Sequence, residues 1–158
     1  MEKYTLIPSS FFDGAEARMM LSQVVKIEEN DIVKHIELPH FKAVLVYAIS
    51  PSSSEQKPNI YSLLNAAEKI PGHNKIVFEY AEGIVHIVLA TPDSLLLANS
   101  YPATEFVTAE YFVFAALKEF SMNPEVTTLY YSGSLSYEEK ESLFNYFQGV
   151  ESISILKQ

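Results

Sequence analysis

Residues 75–101 constrain the fold more than any other stretch. They read as three short strands in succession, broken by Ala81-Glu82-Gly83 and by Thr91-Pro92-Asp93-Ser94. Glu82-Gly83 is a tight hairpin signal, and Val77, Ile84, Val85, Ile87, Val88 and Leu89 supply the branched bulk that a pleated sheet packs well. An apolar stretch follows at 105–120. Phe106, Val107, Ala109, Phe112, Val113, Ala116, Leu117 and Phe120 cover most of a helical circumference, which predicts a deeply packed helix with Thr104 as its N-cap. Residues 127–131 predict a strand. Ser136-Tyr137-Glu138-Glu139 has capping-box spacing for a helix carrying Tyr137, Lys140, Phe144 and Phe147 on one stripe, with Gly149 as its C′ residue. Residues 150–156 predict a last strand.

The first third is a smaller assembly. Residues 4–7 read as a strand stopped by Pro8. Ser10 then offers an N-cap for a helix over 11–25 that aligns Phe12, Ala15, Met19 and Gln23. Residues 32–38 alternate as a half-buried strand, and 42–49 read as a strand covered on both faces. Residues 50–58, Ser-Pro-Ser-Ser-Ser-Glu-Gln-Lys-Pro, have the composition of a mobile surface loop. Ile60, Leu63, Leu64 and Ala67 then keep helical spacing up to Pro71-Gly72. The expected organisation is therefore a partial lobe over 1–50, a loop over 51–58 and a larger lobe over 59–158.

Composition narrows the function classes. The 158 residues are 48% hydrophobic, enough for a packed interior, and contain no cysteine, which removes disulfides, thiolate metal sites and a cysteine nucleophile. The formal charge is −9 and Arg18 is the sole arginine. Phosphate backbones repel such a surface, so nucleic acid is not expected as a partner. No apolar run approaches the length that spans a bilayer, and the first residues lack the pattern of a signal peptide, so membrane insertion is not expected and a cytoplasmic location is. The four histidines, His35, His40, His73 and His86, show no converging metal-ligand spacing. No GxSxG elbow occurs. Glu79, Glu82 and Asp93 are the acids of the meander, and Glu79, between Phe78 and Tyr80, is expected to face solvent. No catalytic residue, metal site or resident cofactor is expected.

The order of elements, three meander strands and then helix-strand-helix-strand, is that of the ribonuclease H-like and actin-like α/β folds. Such folds place ligands at the carboxyl ends of their parallel strands. Two places merit attention on that ground. One is the Glu82-Gly83 corner. The other is the Ser132-Gly133-Ser134 turn, whose hydroxyls and backbone are candidate donors to a nucleotide with magnesium. Tyrosines with a wet end, Tyr130, Tyr137 and Tyr146, are candidates for a protein interface. A pocket beneath the 50–58 loop is a third, weaker possibility.

Several segments resemble an uncharacterised family of Bacteroidetes proteins of unknown function: Tyr4-Thr5-Leu6-Ile7-Pro8 with Phe11-Phe12, Ala43 to Ile49, Leu96-Leu97-Ala98-Asn99-Ser100-Tyr101 with Thr104 and Phe106, and Leu129-Tyr130-Tyr131-Ser132-Gly133. The resemblance implies an actin-like ATPase fold akin to pilus and type II secretion assembly proteins. In actin-like ATPases the hairpin corners approach phosphate, their carboxylate holds magnesium through water, and a glycine pair after the later strand contacts adenosine. Here one glycine stands at each place. Family members usually begin with strands ahead of the Tyr4 segment, where a first phosphate loop would lie. The resemblance thus implies the fold while arguing against catalysis, and points to a non-catalytic scaffold or interaction protein with a protein partner; its oligomeric state cannot be read from the sequence.

Overall fold

A computed structural model describes residues 1–156. The chain divides into two compact units, Met1–Tyr61 and Ser62–Gln158. Among the described residues, no helix is long and apolar enough to cross a membrane.

The first unit is a three-stranded antiparallel sheet in the order β1 (Lys3–Pro8), β3 (Ala43–Ile49), β2 (Ile32–Leu38). Every residue of β3 except Ile49 is buried, as a nearly all-apolar central strand requires. The helix expected over 11–25 is shorter and starts later. Ser9–Phe11 and Gly14–Glu16 are single 3-10 turns, and only α1 (Ala17–Ser22) is α-helical. Asp13 caps the second of these turns, its side chain accepting the Ala15 amide at 3.0 Å, while α1 itself follows Glu16 with no side-chain capping bond. This delay rotates the apolar face. Ala17 and Leu21 pack on Val44, Val46 and Ala48 together with Phe12, while Ala15, Met19 and Gln23 are exposed.

Arg18 fastens this unit. Its guanidinium donates to the carbonyls of Glu28 at 2.7 Å, Asp31 at 2.9 Å and Glu29 at 3.1 Å. Asp31 in turn accepts from Lys3 Nζ at 2.7 Å and from the Glu28 amide at 2.9 Å. The 28–31 turn is thereby tied to both α1 and β1. The 50–58 segment carries one 3-10 turn, Pro51–Ser53, and Lys34 Nζ donates to the Ser54 carbonyl.

The second unit begins inside α2 (Asn59–Lys69). Ile60, Leu63, Leu64 and Ala67 are fully buried at their helical spacing, and Gly72, at φ +87°, makes the turn that follows. The meander forms as expected: β4 (Lys75–Ala81), β5 (Ile84–Thr91) and β6 (Ser94–Pro102), all antiparallel. Ala81 pairs with Ile84, so Glu82 and Gly83 alone make the first turn, with φ of +54° and +74°. That double left-handed geometry is what a two-residue hairpin needs, because it matches the strands' twist. The second turn is Pro92-Asp93, and a bulge shifts the register from Leu89↔Leu97 to Ala90↔Leu95.

The crossover helix α3 (Phe106–Glu119) leads to β7 (Thr128–Ser132), which pairs in parallel with β4. Glu105 rather than Thr104 is its N-cap, with no side-chain capping bond. Helix α4 (Tyr137–Phe144) has the expected capping box, and β8 (Gly149–Ser152) pairs in parallel with β7. The sheet order is β6-β5-β4-β7-β8. Two local expectations fail here. Gly149 opens β8 rather than closing α4, whose C-cap is Asn145, and the last strand ends at Ser152 before a 3-10 turn over Ile153–Ile155. The α4 stripe also differs: Leu143 and Phe147 are buried, while Tyr137 and Phe144 are 74% and 52% exposed.

One face of this sheet carries the unit's main core. Ile76, Phe78, Ile87, Leu89 and Leu129 meet Ala109, Val113 and Leu117 of α3 and Leu143 beyond them. Tyr101 stacks on Phe112 with ring centroids 4.4 Å apart, which pins α3 over β6.

Two outcomes are expected. Phe78→Ala should lower the urea-unfolding free energy by about 3–5 kcal/mol, the range for deleting a buried aromatic ring. Asp31 is held below its ordinary carboxyl value of 3.8 by the Lys3 hydrogen bond first and the Glu28 amide second. Its folded pKa is depressed, so its stabilisation is complete above the unfolded value and is lost as pH falls through the folded one. Acid titration of the melting temperature should therefore show a fall below about pH 4 that is shallower in Asp31→Asn.

Candidate functional site

Strands β4, β6 and β7 run the same way, so their carboxyl ends share one end of the sheet. The Glu82-Gly83 corner and the starts of α3 and α4 follow from those ends. This is where an open α/β sheet holds a ligand.

At its centre the parallel register sets Glu79 of β4 opposite Ser132 of β7. Ser132 Oγ donates to Glu79 Oε2 at 3.2 Å. The other carboxylate oxygen, Oε1, is buried with no hydrogen-bond partner. Glu79 is thus half-buried and turned into the sheet's own polar seam, where the sequence led us to expect exposure. Gly133 adopts φ +78°, and a β-carbon there would lie 3.8 Å from Glu79 Oε2.

The seam continues across the meander. Glu79 pairs with His86, and His86 pairs with Ser100. His86 Nδ1 lies 2.6 Å from Ser100 Oγ, with both residues buried. Ser100, His86, Glu79 and Ser132 therefore form one polar row across four strands. Sequence reading missed it, because its members are far apart in the chain and only strand order aligns them. The signal available was a charged residue at Glu79 and an imidazole at His86 inside strands of otherwise apolar character.

Each expected site residue can now be placed. Ser132 and Gly133 come up against Glu79. Ser134 is exposed just beyond. Gly83 uses its carbonyl to accept the Ala103 amide at 2.8 Å, a bond that ties the corner to the end of β6. Of the three tyrosines, Tyr137 and Tyr146 are 74% and 53% exposed, whereas Tyr130 is only 6% exposed within β7. Burial first and the Glu151 carboxylate second push the Tyr130 phenol above its ordinary range. Ser50, Ser53, Gln56, Lys57 and Pro58 line a hollow of about 200 Å³ with Glu2, Lys3 and Tyr47 in the first unit.

The chain matches the family described as protein of unknown function DUF3822 over residues 1–149. It belongs to that family. A crystal structure of a Bacteroides thetaiotaomicron protein, described as having an actin-like ATPase fold and unknown function, matches all of this chain and 67% of its own, with a TM-score of 0.78 at 20% identity. No curated protein matches. The DUF3822 chain is an α/β protein with the actin-like ATPase fold, within the ribonuclease H-like class.

That fold implies a nucleotide with magnesium, and the residues of the second unit do not fit its phosphates. The relevant end of the sheet carries Glu79, Glu82, Glu105 at the α3 N-cap, and Glu138 and Glu139 in the first turn of α4. Helix N-termini attract anions through free amides and the dipole. Here α4 spends that capacity internally: Ser136 Oγ accepts the Glu139 amide at 3.1 Å, and Glu139 Oε1 accepts the Ser136 amide at 2.8 Å. The corner is only two residues long, too short to wrap several amides around a phosphate. Among the described residues, no three His, Cys, Asp or Glu side chains cluster closely enough to hold a metal ion.

Gly133→Ala should destabilise the fold by about 1–2 kcal/mol in chemical denaturation, because a β-carbon is strained at that φ even where space exists. Glu79→Gln removes a charge whose buried oxygen has no partner, so its unfolding midpoint should match or exceed that of the parent. A clear loss of stability in Glu79→Gln would show that the carboxylate is held by an attraction.

Proposed function

We propose that this chain is a non-catalytic protein-interaction module, an actin-like lobe whose anion site is replaced by a structural polar seam. The observation that carries the reading is the exposure of large apolar side chains on α3, on α4 and on the turn after α4. Val107, Tyr111, Tyr137, Phe144 and Tyr146 are each more than half exposed there. Water gains nothing from such side chains, and clusters of them mark binding surfaces on soluble domains. The acid-lined end of the sheet supports the same reading, since it disfavours the phosphates an ATPase must hold.

A nucleotide with magnesium at Ser132-Gly133-Ser134 is the second reading, and one observation favours it. A glycine in left-handed geometry stands beside a carboxylate at the carboxyl end of parallel strands. Thermal unfolding with and without magnesium and ATP separates the two. A ligand present at a hundred times its Kd adds about 2.7 kcal/mol to stability, several degrees in melting temperature. The interaction reading expects no shift. A saturable shift that is lost in Ser132→Ala would replace it with the nucleotide reading.

A further inference from the structure

A strand at the edge of a sheet offers its outward amides and carbonyls to any other strand, and folded proteins blunt such edges with charge, proline or brevity. Three of the four edge strands here are blunted. β1 carries Lys3 and ends in Pro8, β2 carries Lys34, His35 and Glu37, and β8 has four residues, one of them Glu151. The remaining one, β6, has nine residues and no charge. The bulge opposite Leu89 and Ala90 bends its start and leaves Leu97 to Pro102 in regular register. Among the described residues, no strand pairs with its outer side. We propose that this edge receives an extended, apolar segment of a partner protein with Lys or Arg residues at its ends. The proposal goes beyond the exposed side chains of α3 and α4 and does not depend on them.

Register says which groups point outward. Ala81 and Ile84 close the two-residue turn as a hydrogen-bonded pair, so alternation along β5 turns the backbone of Val85 and Ile87 towards β6. Tyr101 and Asn99 are their partners, and the backbone groups of Ala98, Ser100 and Pro102 point the other way. Two observations agree. Pro102, which has no amide, takes an outward place, and the Ser100 amide donates to the Asn99 side-chain oxygen at 2.9 Å. Asn99 is exposed, so its side chain is a cover that an incoming carbonyl displaces. The Ala98 amide and carbonyl stand beside it on the same line. Strand addition uses the main chain for affinity and the flanking side chains for selection. Leu97 and Tyr101 are half-buried on the α3 side and Ala98 is half-buried on the other, which suits small and branched apolar residues.

Charge at the ends of the edge selects the occupant. Asp93 is exposed in the turn before β6. Glu119, also exposed, lies towards that end, two turns beyond Phe112 on the side of α3 that stacks on Tyr101. Glu82 and Glu105 are exposed at the other end, where Gly83 accepts the Ala103 amide. Lys118 falls about 100° round α3 from Glu119, on the helix's outer side. A second copy paired antiparallel through β6 would set Asp93 of one chain against Glu82 and Glu105 of the other, like against like. A segment with cations at its ends meets carboxylates at both.

The test uses the whole chain, a fluorescein-labelled peptide of alternating threonine and valine with two lysines at each end, and the same peptide ended in glutamates. Anisotropy should show saturable binding of the lysine-ended peptide, weakened by salt, and binding of the glutamate-ended one weaker by roughly tenfold or more. Amide exchange followed by NMR reads the place of binding. In the free protein the Ala98 amide should exchange faster than those of Asn99 and Tyr101, which bond β5, and saturating peptide should slow it. Ala98→Pro removes that outward donor while sparing the ladder to β5, and should cost roughly tenfold or more in affinity with the circular dichroism of the parent. Tyr137→Ala should bind as the parent does. Ala98 exchange that saturating peptide leaves unchanged would overturn the proposal, whether or not the proline variant folds. So would equal binding of the two peptides, binding of neither, loss of binding in Tyr137→Ala alone, or a dimer in sedimentation whose Ala98 amide is protected without peptide.

Discussion

The parallel pairing of β4 with β7 is the constraint on which the second unit depends. The meander leaves the chain at β6, on the far edge of the sheet, while the open edge is that of β4. The next strand can reach β4 in parallel only through a crossover that passes over the meander. Helix α3 is that crossover, which explains why its apolar residues occupy so much of its circumference. It must lie on β5, β4 and β6 and also flank α4. The Tyr101–Phe112 stack holds its departure point, and the Ile76↔Leu129 to Glu79↔Ser132 register fixes its destination. Once that register is set, a second crossover through α4 adds β8.

The same register decides the chemistry of the sheet's ligand-binding end. It delivers a serine hydroxyl and a glycine turn to Glu79, so the crevice is satisfied in part from within. Four further carboxylates come to the same end: Glu82 at the first left-handed position of the two-residue turn, Glu105 at the N-cap of α3, and Glu138 and Glu139 in the first turn of α4, where the helix dipole favours them. Together they oppose the negative ligand that this architecture elsewhere accommodates.

Local features were legible in the sequence. The hairpin at Glu82-Gly83, the α2 spacing, the capping box at Ser136 and the βββαβαβ order depend on neighbours a few residues apart. Non-local features were not. Glu79 looked like a solvent-facing acid because its partner, Ser132, lies across a parallel pair that no periodicity reveals. The first helix misled because Ser10 is a good cap by type, yet the chain makes two 3-10 turns first, the second capped by Asp13, and α1 begins only after Glu16. The final strand was read too long because Ile153 and Ile155 are apolar, yet Ser152 accepts the Ser154 amide and starts a turn instead. Of the tyrosines expected to keep a wet end, Tyr137 and Tyr146 are exposed, while Tyr130 is packed into its strand.

Partition of α3 between inside and outside shows why an apolar helix cannot be read from composition alone. Its acidic residue Glu110 does not mark the wet face, since it accepts from Ser142 at the seam with α4. The wet face is instead Val107 and Tyr111, with Ala115 and Lys118 beyond. Packing on the sheet uses Ala109, Val113, Ala116 and Leu117, and the seam uses Glu110 and Phe114. Beyond the edge-to-face contact of Tyr111 with Phe112 at 5.4 Å, this outer side adds little to the interior that the other faces do not already supply. Polar residues there would fold as well and expose less apolar area to water. Exposed apolar side chains that folding does not require are the feature on which the proposed interaction reading rests.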